Sequence, residues 1–276
     1  MESIFSNFLY QLLLTVGVVV LFGSIIAFCR RMFCRIIGPS GPKILLITGF
    51  VGTPIHELSH ALMCIIFGHK ITDMKLYQPG SDDGVLGYVN SSYNPRNLYH
   101  QIGNFFIGVA PIICGSGVLI ALMYFLTPTL CASVLGVFES ASLNMNSFSV
   151  DIIGEFFSVF WKAVVMILDF SNMSNFLWWI FIILAFMIST HMEISPADIK
   201  TGAGGFGFIA GILLVADVIM YFLDDLFSLG LLSGTTSAIV GFSGTIVGFL
   251  GISAIFSVFM LLVALVVKMV GMLVHR

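Results

Sequence analysis

Two histidines and a glutamate lie within one short segment, His56-Glu57-Leu58-Ser59-His60. Residues four apart share one face of an α-helix, so both imidazoles can direct a ring nitrogen at the same metal ion. Glu57 then lies on the neighbouring flank, where its carboxylate can hold a water molecule and accept its proton. This pattern is typical of zinc-dependent hydrolysis, with His56 and His60 as ligands and Glu57 as the general base.

The composition predicts that this motif lies inside a membrane. Hydrophobic residues make up 58% of the chain and charged residues only 9%, and both fractions lie outside the range of soluble domains. The motif is part of an apolar stretch at residues 44–67. A histidine pair that only packs in a helix bundle is the alternative, but three ionisable groups at hydrocarbon depth are too costly for a core without function.

We therefore predict an all-α polytopic membrane protein with about six transmembrane helices. At about 20 residues per crossing, the spans lie near residues 8–29, 44–67, 104–126, 174–192, 203–223 and 246–271. All of them are expected to form one integral-membrane domain over residues 1–276. The net charge of −3 is too small to indicate a nucleic-acid partner.

The connections between these spans carry their own signals. Residues 71–77 and 85–90 are β-prone and flank a turn-forming segment at 79–84, which predicts a β-hairpin between the second and third spans. It is either a surface loop or an exposed edge to which an extended peptide adds as a strand. Basic and Gly/Pro residues at 30–43 predict a loop after the first span. Residues 151–169 suit an amphipathic interfacial helix.

Glycines and prolines predict local features of the helices. Gly52-Thr53-Pro54 comes just before the motif, and it predicts either a kink or a restart of the helix with Thr53 as its N-cap. The glycines and serines of residues 230–251 allow either close helix packing, which we favour, or a re-entrant turn. The five cysteines lack metal-finger spacing, and we expect reduced thiols.

A catalytic zinc usually takes three protein ligands, so a third must come from elsewhere in the chain. We favour Asp198, because Pro196 can start a helix that presents this carboxylate at the joint between two spans. His191 and Glu193 are alternatives in the same segment. Glu155 would complete a different type of membrane-embedded zinc site.

Two further polar residues stand out in apolar surroundings. Asn104 is a candidate for substrate binding, because amide donors stabilise the oxyanion of acyl transfer. Asp217 follows Asp198 by 19 residues, which is about 28 Å along a straight helix, so the two cannot share one metal. We expect Asp217 to pair with another helix or to lie at the outer interface.

The sequence resembles the site-2 protease family of intramembrane zinc metallopeptidases. The resemblance depends on HELSH inside an early span, on a β-prone loop directly after it, and on a Pro-x-Asp element at the head of a late span. It covers residues 44–210 and leaves the helices at 8–29 and 246–271 as flanks. The late element reads Ser-Pro-Ala-Asp-Ile-Lys, where the family has Asn-x-x-Pro-x-x-x-x-Asp-Gly.

The resemblance implies a set of roles for these residues. His56, His60 and Asp198 would bind Zn²⁺, Glu57 would act as the general base, and the hairpin would offer its edge to the substrate. The implied activity is regulated intramembrane proteolysis, in which a membrane-anchored protein is cut in or near its transmembrane segment. The expected location is the cell membrane, where the multi-pass chain contacts the lipid bilayer.

A non-enzymatic transporter or metal-binding scaffold could use the same histidines. Glu57 separates the two functions, because hydrolysis requires a general base and metal binding does not.

Overall fold

The computed structural model describes residues 2–81, 84–142, 151–228 and 230–274. Most of this chain is helical, and the helices are α1 Glu2–Leu12, α2 Val18–Ile37, α3 Gly41–Ile66, α4 Leu98–Leu126, α5 Pro128–Ser142, α6 Asp151–Ile167, α7 Phe176–Ser189, α8 Pro196–Phe227 and α9 Leu231–Val274. A π-turn, Leu13–Gly17, joins α1 to α2, and the 3-10 turns Gly38–Ser40 and Phe170–Ser174 precede α3 and α7. The predicted all-α class is confirmed.

Four helical stretches in the described residues are long and apolar enough to cross a membrane. They are Ile4–Ile66, Leu98–Leu126, Pro196–Phe227 and Leu231–Val270. The first contains two of the predicted spans. The span predicted at 174–192 corresponds to α7, whose 14 residues extend only about 21 Å, less than the ~30 Å of a hydrocarbon core. The membrane class is therefore supported, whereas the number of six crossings stays a prediction.

Helix α4 lies at the centre of the helix packing. It contacts α3, α5, α7, α8 and α9, so it connects the first half of the chain with the second. Most of its inward positions are apolar or small, and Ile112, Leu119 and Met123 are fully buried. Apolar residues on the outer faces of several helices, such as Phe50 and Ile65 of α3, are exposed, as expected of helices that meet lipid.

The predicted hairpin is present between α3 and α4. Strand β1, Lys70–Lys75, pairs antiparallel with β2, Tyr88–Ser92. The strands are displaced from the predicted segments, and the connection between them is longer than a turn. Residues 82 and 83 of that connection lie outside the described part of the chain.

Two local expectations are corrected by the structure. Of the two alternatives at Pro54, the restart with Thr53 as N-cap is wrong, because α3 continues through Pro54 and Thr53 lies inside it; the kink stays a prediction. The basic loop predicted at 30–43 is instead mostly helix, because α2 continues to Ile37 and only the 3-10 turn separates it from α3. Gly38 makes this tight connection possible, since its φ of +67° is a conformation that glycine adopts readily.

Three other expectations are supported. An α-helix, α6, occupies most of the predicted segment at 151–169, and its position at the membrane interface stays a prediction. Helix α9 runs without a re-entrant turn through residues 231–251, and Gly248 and Gly251 lie against the ring of Phe138. The favoured interpretation, close helix packing, therefore holds for these two glycines. The five cysteines carry free thiols.

Candidate metal centre

Helix α3 places both histidines of the motif on one face. The ring centroids of His56 and His60 are 4.9 Å apart, as expected for residues one helical turn apart. His60 is 7% exposed and Glu57 is 6% exposed. These two ionisable side chains are therefore buried in a largely apolar helix, and each of them needs a partner.

A backbone carbonyl orients each imidazole. Nδ1 of His56 lies 2.7 Å from the carbonyl oxygen of His191, and Nδ1 of His60 lies 2.8 Å from that of Ile107. A carbonyl oxygen can only accept a hydrogen bond, so in both rings Nδ1 carries the proton and donates it. The Nε2 atoms are then left with free lone pairs. Outer contacts of this kind fix the tautomer of metal-binding histidines.

The Nε2 atoms and the Asp198 carboxylate converge on one point. The two Nε2 atoms are 3.2 Å apart, and Nε2 of His60 is 3.3 Å from Oδ1 of Asp198. Nε2 of His56 is 3.9 Å from Oδ2 of the same carboxylate. Two lone pairs that face each other cannot form a hydrogen bond, but they can share a cation.

Zn²⁺ fits these three groups. Zinc–nitrogen and zinc–oxygen bonds of about 2.0–2.2 Å in a tetrahedral site separate the ligand atoms by roughly 3.3–3.6 Å. The two spacings at Nε2 of His60 are close to this value, and the one between His56 and Asp198 is a few tenths of an ångström longer. Two neutral imidazoles and one carboxylate are a donor set that zinc accepts in catalytic sites, where a fourth position is left open. The residues present therefore fit the metal.

A capping box at the start of α8 fixes the Asp198 side chain. The Ser195 backbone N–H donates to Oδ2 of Asp198 at 2.8 Å, and the Asp198 N–H donates to Oγ of Ser195 at 3.2 Å. Pro196 occupies the first turn of the helix, as the sequence predicted. The positive end of the helix dipole favours a carboxylate at this position.

The other ligand candidates lie elsewhere. The His191 ring is wedged between two hydroxyls of α3, with Nε2 at 3.0 Å from Oγ1 of Thr48 and Nδ1 at 3.3 Å from Oγ1 of Thr53. Glu193 forms an ion pair with Arg30. The side chain of Glu155 lies outside the described residues. Among the four candidates, the described structure brings Asp198 to the histidine pair.

A cavity of about 320 Å³ opens beside the convergent groups. Its lining includes Arg30, Thr53, His56, Glu57, Gly87 and His191. Glu57 therefore faces the same space as one of the two imidazoles. A base in this position can reach a molecule that enters the cavity.

The β1–β2 connection forms one wall of this cavity. A Cβ on Gly87 would lie 2.8 Å from Cγ of Glu57 and 2.8 Å from Cγ2 of Thr53, so glycine allows the connection to lie directly against α3. The Tyr77 hydroxyl anchors the connection further along, where it donates to the carbonyl of Leu46 at 2.6 Å. The hairpin thus folds back along α3 and covers the flank that carries Glu57.

Asn104 is not among the described residues that line the cavity. Its amide donates to Oε1 of Gln101 on the same helix at 3.3 Å, so the role in oxyanion binding stays a prediction. His69 and His100 belong to a separate cluster after α3, in which Nε2 of His69 lies 3.0 Å from the His100 carbonyl oxygen. Burial lowers the pKa of His69 below its usual value.

Several contributors to the centre were missed by sequence reasoning. The carbonyl of His191 has no sequence signature, whereas that of Ile107 has one: Pro111 lies four residues later in α4 and has no N–H to donate to it. Thr48 and Thr53 did leave a weak signal, since two hydroxyls in an apolar helix need partners. Arg30 was assigned to a loop, and this assignment hid its position beside the cavity.

Comparison with known proteins supports the metallopeptidase assignment. A family model described as "putative zincin peptidase" matches residues 49–153. The matched region contains His56, Glu57, His60 and the hairpin, and it ends before Asp198. No curated protein and no solved structure matches the chain. The match supports a zinc metallopeptidase and does not extend to the site-2 protease type.

Proposed function

We propose that the chain is an intramembrane zinc metalloendopeptidase of the site-2 protease type. It would hydrolyse a peptide bond in or near a transmembrane segment of a membrane-anchored protein. The observation that carries the proposal is that ligand atoms of His56, His60 and Asp198 lie within 4.8 Å of one another, next to a cavity that His56 and Glu57 both line. The helix that holds the motif belongs to the apolar stretch Ile4–Ile66, which is suited to cross a membrane.

Each residue has a defined task in this proposal. His56, His60 and Asp198 would hold Zn²⁺, which supplies a Lewis acid that activates water and polarises a carbonyl. Glu57 accepts the proton of the attacking water and delivers it to the leaving amine. The burial of Glu57 and the close approach of Gly87 keep this carboxylate in one place. A fixed base in a site with little water is an effective one.

The hairpin provides a means of substrate capture. A transmembrane substrate is helical, and its amides are locked in hydrogen bonds until the helix unwinds. The sheet in the described residues has two strands, so each strand has an outer edge to which an extended peptide can add. The proposed partner is therefore a membrane-anchored protein within the lipid bilayer, and the proposed location is the cell membrane.

The test is the Glu57→Gln variant. Because Glu57 is not a metal ligand here, the variant should retain one zinc per chain, and cleavage should fall by about 10²-fold to 10⁴-fold, the usual contribution of a general base. Zinc is measured on the purified protein by mass spectrometry. Cleavage is measured as new peptide termini in membrane proteins of cells that carry the wild type or the variant. Asp225→Asn, at an exposed carboxylate of α8, is the matched control.

The outcomes separate the two function classes. A Glu57→Gln variant that still cleaves would eliminate the peptidase mechanism. Zinc flux into vesicles that is the same for the wild type and the variant, without any cleavage, would support the transporter alternative instead.

A further inference from the structure

Arg30 and Glu193 form an ion pair beside the candidate metal centre. Arg30 lies near the end of α2, and Glu193 lies in the connection between α7 and α8. Both side chains are about three-quarters buried, with 25% and 24% exposed, and both line the cavity that contains Glu57. This pair joins two parts of the chain that are far apart in sequence.

The connection that Glu193 belongs to carries two contacts of the metal centre. On one side of Glu193, the carbonyl of His191 accepts the Nδ1–H of His56 at 2.7 Å. On the other side, the Ser195 N–H donates to the Asp198 carboxylate at 2.8 Å. Movement of this short segment would therefore displace both the carbonyl that orients His56 and the N–H that holds the Asp198 carboxylate.

The ends of the connection are held independently of Glu193. The His191 ring lies between Thr48 and Thr53, and Ser195 begins α8 as its N-cap. Between these ends, Ile194 packs beside Gly23 of α2, and Glu193 adds a charged contact to the same helix at Arg30. The ion pair is thus an anchor between two fixed ends.

The Arg30 guanidinium is largely buried, so it depends on the Glu193 carboxylate to balance its charge. Its Nε atom is buried and has no hydrogen-bond partner among the described residues. A buried charge without compensation is strongly unfavourable. Because a partly buried ion pair contributes little net stability, its main consequence is geometric: Glu193 has one low-energy position, which is opposite Arg30.

We propose that Arg30 and Glu193 are positioning residues of the zinc site. Their ion pair fixes the α7–α8 connection, so that the His191 carbonyl and the Asp198 carboxylate remain aligned with the two imidazoles. This inference rests on the proposed function, since it assigns the pair a role in the metal centre of that function. Arg30 acts through Glu193 and the connection, and it does not touch the substrate.

The experiment measures zinc affinity of the purified full chain in detergent, by competition with a chromogenic zinc chelator. Arg30→Gln and Glu193→Gln should each raise the zinc Kd by about 10-fold or more, the usual effect of losing an outer partner of a metal ligand. The exchanged pair R30E/E193R should recover at least half of that loss on a logarithmic scale. Arg31→Gln is the matched control, because Arg31 is exposed on the same helix and loses the same charge.

A second measurement separates positioning from substrate binding. KM and kcat are determined with a single-span reporter protein that the wild type cleaves. If the ion pair positions the zinc ligands, Arg30→Gln and Glu193→Gln should have a lower kcat at limiting zinc, and excess zinc should restore part of that kcat. A raised KM with unchanged zinc Kd would overturn the proposal, because it would place Arg30 in contact with the substrate.

Each remaining outcome is decisive. The positioning role is overturned if Arg30→Gln and Arg31→Gln have equal zinc Kd values. It is also overturned if R30E/E193R binds zinc no more tightly than the single variant with the higher Kd. Either result leaves the proposed function intact. A wild type that binds zinc without cleaving any protein overturns the peptidase, while the zinc measurements still decide the role of the pair. A wild type that binds no zinc overturns both.

Discussion

Helix α8 carries a largely buried carboxylate in its first turn, Asp198, and a fully buried one in its second half, Asp217, and their surroundings differ. Oδ2 of Asp198 accepts the Ser195 N–H at 2.8 Å, and Oδ1 lies 3.3 Å from Nε2 of His60. Oδ1 of Asp217 accepts a hydrogen bond from the side-chain amide of Gln11 at 3.0 Å, whereas Oδ2 has no hydrogen-bond partner among the described residues. One carboxylate is fixed by its own helix and faces ligand groups, and the other is held by a single side chain.

The difference distinguishes a centre suited to chemistry from an interhelical contact. Around Asp198, a backbone group holds each of the three candidate ligand side chains in place, as a metal site requires. The Gln11 amide also donates to Oγ1 of Thr236 at 3.2 Å, so the Asp217 region joins α1, α8 and α9. This confirms the expected pairing of Asp217 with another helix. Polar contacts of this type hold transmembrane helices together.

The largest expected effect is that of Asp198→Ala. This change removes the only carboxylate that the described structure brings to the two Nε2 atoms, so zinc should no longer copurify and cleavage should disappear. Asp217→Ala should retain zinc, because its contacts lie on α1 and α9. Zinc content of both purified variants is the measurement. Undiminished zinc in Asp198→Ala would remove this residue from the ligand set.

His191→Ala should weaken the centre without abolishing it. The ring fixes the position of the carbonyl that orients His56, so its loss should raise the zinc Kd about 10-fold to 100-fold. Chelator competition on the purified variant measures this change. His100→Ala, in the cluster after α3, is the control and should bind zinc like the wild type. Complete loss of zinc from His191→Ala would instead identify His191 as a ligand.

Gly52→Ala should disturb the same region by steric overlap. A Cβ at Gly52 would lie 2.9 Å from Cβ of His191 and would also overlap the Met187 carbonyl oxygen, so α3 and the end of α7 must separate. We expect a loss of about 1–3 kcal/mol in stability and weaker zinc binding. Gly211→Ala, in the middle of α8, is the control, because Gly211 has open space around it. Thermal unfolding should show a clear decrease only for Gly52→Ala.

The smallest effect is expected for Asp217→Asn. The amide oxygen of asparagine can still accept the hydrogen bond from Gln11, and interhelical hydrogen bonds in membranes contribute only about 0.6 kcal/mol on average. The thermal midpoint should therefore change little, and zinc binding should not change. Loss of zinc from this variant would show that the two regions of α8 are coupled, and the Asp217 region would then be more than a contact between helices.

The elements with local signals could be predicted from the sequence. The helical face of His56 and His60 follows from their spacing, the start of α8 follows from Pro196, and the hairpin follows from its turn residues. The orientation of the imidazoles could not be predicted, because it depends on carbonyls supplied by α4 and by the α7–α8 connection. These acceptors become neighbours of α3 only through tertiary packing.

Two errors have a common physical cause. The restart considered at Pro54 and the loop assigned to the residues near Arg30 depended on local preferences, because proline removes a helical hydrogen bond and charge is unfavourable at membrane depth. Pro54 costs α3 one hydrogen bond, but α3 is held by its contacts with α4 and α7, and the Arg30 side chain is compensated by Glu193. Tertiary contacts outweighed the local preference in both places.

The capping box of α8 has a thermodynamic consequence. The Asp198 side chain closes the first turn of this helix and also approaches the imidazoles. Formation of that turn and binding of a cation therefore depend on the same carboxylate. Linkage then requires that an ion stabilises the helix start by the same free energy with which an ordered start strengthens ion binding. Loss of the ion would first cause the start of α8 to fray at Ser195.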